Sequence, residues 1–97
     1  MARRFLRVVP ALLLVVLVAG CARTSIPGVA VRSGPTTGSS LVAKIPESNT
    51  PVRVRCWSRG EAVQGDPVWY RIASPQEGWV TNYYIRSNGD HANAPSC

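Results

Sequence analysis

At 97 residues the chain has room for one domain, and the set left if Cys21 is lipidated or removed, two cysteines and a single histidine, cannot fill a structural zinc site of usual spacing. Setting aside Arg3, Arg4 and Arg7 lowers the formal charge from +6 to about +3. No block of like charge is left, which excludes the dense basic stripe of a nucleic-acid binder.

Residues 1–20 read as an export signal. Three arginines lie within Met1 to Arg7, and an apolar run follows from Val8 to Ala19. Twelve helical residues span about 18 Å, well short of a hydrocarbon core of about 30 Å. The run is therefore a signal segment and not a stable span. Val18-Ala19-Gly20-Cys21 then resembles the lipobox of bacterial lipoproteins, with Val where Leu is usual. The resemblance implies that Cys21 is lipidated and becomes the first residue of the mature chain. Ordinary cleavage after Ala22, giving a freely secreted protein, is the alternative.

Residues 21–28, ending in Pro27 and Gly28, read as a tether. Val29 to Arg32 is predicted as a first strand, Ser33 to Ser40 as a turn-rich loop, and Leu41 to Ile45 as a second strand. Pro51 to Trp57 alternates with period two: Val52, Val54 and Cys56 on one side, Arg53, Arg55 and Trp57 on the other. Ser58 to Pro67 reads as a loop and Val68 to Ala73 as a fourth strand with Val68, Tyr70 and Ile72 inward. Ser74 to Gly78 is a hairpin turn and Trp79 to Thr81 a fifth strand. Asn82-Tyr83-Tyr84 suits one 3₁₀ turn, and Ile85-Arg86 a last short strand. Five or six short strands with turns between them predict a small all-β barrel, closed on itself and so without exposed edges.

Residues 87–97 form a polar, irregular tail ending in Cys97. If Cys21 is lipidated or removed, Cys56 and Cys97 remain, and an oxidising compartment favours joining them. The loop so closed, about 40 residues, is worth roughly 4 kcal/mol on the chain-entropy account. That is a large gain for a domain this small.

Two segments carry a resemblance to a known family. Val31-Arg32-Ser33-Gly34-Pro35 and Gly78-Trp79-Val80-Thr81-Asn82-Tyr83-Tyr84-Ile85, with three strand-like runs between them, resemble the opening and closing motifs of the bacterial SH3-like domain. The resemblance covers residues 29–86 and implies an SH3-like barrel. Its motif order, with a late cysteine after the last strand, is similar to that of small SH3-like proteins of high-G+C Gram-positive bacteria. Such domains are binding modules, commonly beside a wall hydrolase; the expectation here is a module that stands alone.

Carried onto this chain, the family's ligand groove lies between residues 32–40, 58–67 and 82–84. Trp69 and Tyr83 are its expected floor and Arg32 or Arg59 its edge, with Trp57 and Tyr84 as further candidates. Aromatic faces in such a groove stack on sugar rings or prolines. The carboxylates Glu47, Glu61, Asp66 and Glu77 fall in predicted loops or turns without a local pair, and His91 lies in the tail. The expectation is thus a non-catalytic, monomeric module without cofactor or metal, exported and lipid-anchored at the outer face of the cell membrane or in the periplasm. Its expected ligand is peptidoglycan, a peptide of it or an envelope protein, and nucleic acid is not a partner. The alternatives are a structural or adaptor lipoprotein working through a protein partner, and a secreted effector or inhibitor.

Cys21→Ala is expected to release the protein from membranes or stall its precursor. Mass spectrometry of the mature N-terminus checks this, since a chain beginning at Arg23 rules lipidation out.

Overall fold

A computed structural model describes residues 21–97; the expected signal segment, residues 1–20, lies outside the described residues. The strands are β1 (Cys21–Thr24), β2 (Val29–Arg32), β3 (Leu41–Ile45), β4 (Pro51–Val63), β5 (Asp66–Ser74), β6 (Gly78–Thr81) and β7 (Ile85–Ser87). They form one antiparallel sheet in the order β3-β2-β6-β5-β4-β1-β7. Seven strands stand where five or six were expected, and the sheet is not closed: β3 pairs with β2 and β7 with β1, leaving both as end strands.

The extra strand corrects the tether reading. Cys21–Thr24 lies between β4 and β7, with Ala22 opposite Val52 on one side and Ser87 on the other. Thr24 is wholly buried, and its polar atoms are all satisfied. Its N–H donates to the Thr50 carbonyl at 2.9 Å, and its carbonyl accepts from the Asn49 N–H at 2.7 Å. Its hydroxyl donates to the Glu47 carbonyl at 3.0 Å and accepts from the Thr50 N–H at 2.9 Å. A short polar-looking segment is thereby locked into the interior without an unsatisfied group.

The second correction concerns Ser58 to Pro67. β4 runs on to Val63 and β5 starts at Asp66, so the expected loop is a tight hairpin end. Gln64 and Gly65 both take positive φ (51° and 84°), the combination of a type I′ turn that matches strand twist. The third concerns alternation along β4. Its register with β5 shifts between Val54 and Cys56, so that Cys56 pairs with Arg71 and Trp57 with Tyr70. One extra residue reverses the facing of everything beyond it. Trp57, expected outward with Arg53 and Arg55, packs instead against the core.

That core is built from Val29, Val31, Ile45, Val52, Val54, Tyr70, Ile72, Val80 and Ile85, joined by Ala22, Ala92 and Ala94. Two of these come from the tail, which is therefore a structural element. Residues 91–93 take three successive positive φ values, a left-handed turn that places Ala92 at 0 % exposure. His91 stacks on Trp57 with ring centroids 4.0 Å apart. The Trp57 N–H donates to the Pro95 carbonyl at 3.0 Å and the Cys97 N–H to the Trp57 carbonyl at 2.8 Å. The Cys56–Cys97 disulfide closes this arrangement, joining Cα atoms 5.0 Å apart. Within residues 21–97 the strands share one buried cluster, and the disulfide ties the tail to it.

Reduction removes a closure of 41 residues. It is expected to lower Tm by at least about 15 °C, from a loss of roughly 4 kcal/mol in a domain of this size. Thermal circular dichroism with and without reductant checks this. Cys97→Ala should reproduce the reduced curve.

Candidate functional site

Residues from three chain segments surround one cavity of about 190 Å³. β2 contributes Ala30 and Arg32, the following loop Thr37, the end of β4 Val63, β5 Trp69, β6 Thr81, and the 3₁₀ turn Asn82–Tyr84 its last residue. Trp69 is the floor. It is only 2 % exposed, and its indole N–H donates to the Glu61 carbonyl at 2.7 Å. The ring therefore offers an apolar face with its polar handle already engaged.

Two carboxylates hold the walls. Glu61 accepts from the Thr37 N–H at 2.8 Å and from the Thr37 hydroxyl at 2.8 Å, while its own N–H donates to the Pro35 carbonyl at 3.0 Å. Gly60 makes this approach possible, because a Cβ there would collide with the Pro35 carbonyl oxygen. Asp66 accepts from the Val68 N–H at 3.0 Å and from the Asn82 side-chain amide at 2.7 Å, tying the hairpin to the 3₁₀ turn. The Thr81 hydroxyl accepts from the Tyr83 N–H at 3.1 Å and caps that turn. Loop, hairpin and turn are thus joined before any ligand arrives. At the edge, Arg32 donates to the Ser39 carbonyl at 3.0 Å and has further guanidinium N–H groups to offer.

Of the expected site residues, Arg32, Trp69 and Tyr84 come together in this cavity. Trp69 reaches it from a buried position, not as an exposed platform. The other three lie outside its lining. Tyr83 is 47 % exposed and meets Tyr84 edge-on, ring centroids 5.0 Å apart. Trp57 is covered by His91, and Arg59 is exposed on β4. Thr37, Val63, Ala30 and Thr81 escaped the sequence reading. The roles of Glu61 and Asp66 escaped it because both lie in a stretch read as loop. A second, more open cavity of about 550 Å³ lies between β5, β7 and the tail, lined among others by Tyr70, Arg86, Asp90 and His91. Burial raises the Tyr70 phenol above its ordinary value, against a hydrogen bond with Ser87 that lowers it.

A small sheet with a preformed groove and a hydrogen-bonded aromatic floor is the architecture of a binding module. The family model for the bacterial SH3 domain matches residues 27–86, and the chain belongs to that family. No curated protein matches it.

The Thr37 hydrogen bonds, side chain first and backbone second, hold the Glu61 carboxyl below its ordinary value, helped by the Arg32 charge. The stabilisation from this carboxylate is present above the ordinary value of 4.5 and is lost as pH falls through the lowered value. The protection of the Thr37 amide against exchange, relative to an unstructured chain at the same pH, is expected to fall in that acid window. Glu61→Gln should speed its exchange at neutral pH and flatten the dependence, both read by NMR.

Proposed function

We propose that the Trp69–Tyr84 groove binds a short segment of the cell envelope, a peptidoglycan peptide or a peptide of an envelope protein. The supporting observation is the clamped cavity itself: an apolar aromatic floor with one cationic edge, Arg32, held open by Glu61 and Asp66. An apolar side chain or methyl group seats on the indole, and a carboxylate or carbonyl of the ligand accepts from Arg32. Preorganisation removes the cost of ordering three separate segments on binding. The protein acts as a monomeric module without cofactor, exported and held at the membrane through Cys21. Nothing in this reading needs a reacting group.

A second reading, an adaptor acting only through a protein partner, has its own observation. β3 ends the sheet, and its Leu41 and Val42 are 51 % and 46 % exposed. Such an edge can accept an added strand.

Purified residues 21–97 are expected to pellet with sacculi or to bind soluble wall peptides. Tyr84→Ala should weaken that binding about thirtyfold, as truncation of a central interface aromatic does. Arg32→Gln should weaken it less and reduce its salt dependence. Parental affinity in both variants, with folding intact by circular dichroism, overturns the groove assignment. Absence of wall binding, with capture of a partner that Leu41→Glu abolishes, establishes the second reading.

A further inference from the structure

The groove leaves unused the most strongly charged surface of the domain. Strand alternation turns Ala22, Val52, Val54, Ile72 and Ile85 inward and leaves Arg23, Arg53, Arg55, Arg71 and Arg86 exposed on four neighbouring strands, β5, β4, β1 and β7. Register brings them close. Arg23 is the Cα partner of Arg86, and Cys21 that of Arg53. Among the described residues one acid pairs with this face: Glu77, 3.7 Å from Arg55 and 3.6 Å from Arg71.

Like charges directly opposite on a sheet destabilise it, so the Arg23–Arg86 pair is not there for stability. Both guanidiniums converge on one residue that carries no charge. Arg23 donates to the Asn49 carbonyl at 3.0 Å, and Arg86 to the Asn49 side-chain oxygen at 3.2 Å. The same two arginines, with Ser87 and Asn88, line a cleft of about 230 Å³ at the sheet end. Two held cations with the side chain of Asn88 beside them suit a phosphodiester oxygen pair.

We propose that this arginine face docks on the anionic phospholipid surface of the membrane, with a headgroup phosphate seated between Arg23 and Arg86. Charge complementarity selects the partner: a face of five guanidiniums on four neighbouring strands, with Glu77 the one acid paired to it among the described residues, fits a surface of phosphates. Docking does not depend on what the groove binds or on lipidation. It sets the orientation of the domain on the bilayer.

The test is co-sedimentation of residues 21–97 carrying Cys21→Ser with vesicles. Binding is expected to equimolar phosphatidylglycerol and phosphatidylcholine and not to phosphatidylcholine alone, and it should fall steeply with added salt. Each arginine neutralised should lower the partition coefficient about fivefold. Arg53→Gln/Arg55→Gln/Arg71→Gln together and Arg23→Gln/Arg86→Gln together should both lose binding with native circular dichroism, while Arg32→Gln in the groove binds vesicles like the parent. Equal binding to both vesicle types, no binding to either, or parental binding by the folded variants overturns the proposal. So does binding of soluble polyphosphate without vesicle binding, which makes the partner a free phosphate polymer. Should a variant fail to fold, salt and lipid composition still decide the matter on the parent.

Discussion

One irregularity in β4 sets the terms for everything packed around it. Between Val54 and Cys56 the strand carries one residue more than its partner β5. Before that point Val52 and Val54 feed the core; beyond it Trp57 does so, and Cys56 is moved to the side of Arg71. Without the shift, the indole of Trp57 would stand in solvent with Arg53 and Arg55. With it, the indole becomes the surface on which the tail is laid. His91 stacks on the ring, the backbone of Trp57 bonds to Pro95 and Cys97, and the disulfide lies one residue away. The bulge therefore gives the tail, 87–97, a surface to pack on, and two of its residues, Ala92 and Ala94, enter the core.

Beyond the bulge, β4 has a second task at its far end. Gly60 and Glu61 meet the loop after β2, and the carbonyl of Glu61 fixes the Trp69 indole. The floor and one wall of the groove are thus set by adjacent residues of one strand. The groove and the arginine face are built by different devices. One is held by hydrogen bonds to carboxylates that are consumed in the process. The other is set by strand register, and a single carboxylate, Glu77, pairs with its arginines among the described residues. A bacterial SH3 domain of this kind can present two surfaces of different chemistry from one sheet.

Most of the strands were legible in the sequence because their signals were local. Val29 to Arg32, Leu41 to Ile45 and the 3₁₀ turn at 82–84 follow from alternation and turn residues alone. What was not legible depended on partners distant in sequence. Cys21–Thr24 is too short and too polar to read as a strand; it becomes one because β4 and β7 flank it and turn residues 47–50 satisfy Thr24. Ser58 to Pro67 carries Gly60, Gly65 and Pro67, which normally mark a loop. Here Gly60 serves a close backbone approach and Gly65 a two-residue turn. The shift at Cys56 leaves no mark in residue types, so the facing of Trp57 was misread. Arg32, Trp69 and Tyr84, singled out in the sequence, line one cavity, whereas the carboxylates that hold its walls were not singled out because their partners are distant in sequence.

The position of β1 has a consequence for when the domain can form. It is the first described strand, yet the two strands that flank it, β4 and β7, come later, the second near the C-terminal end. Thr24 cannot be buried with its bonds satisfied until Glu47 to Thr50 are in place, and the sheet is not filled on that side until Ile85 to Ser87 arrive. Contacts of such long range form late. A chain threaded out of the cell with its N-terminus leading would remain without its native sheet until almost all of it had crossed. For the exported chain proposed above, folding would follow passage, on the far side where the thiols can be oxidised.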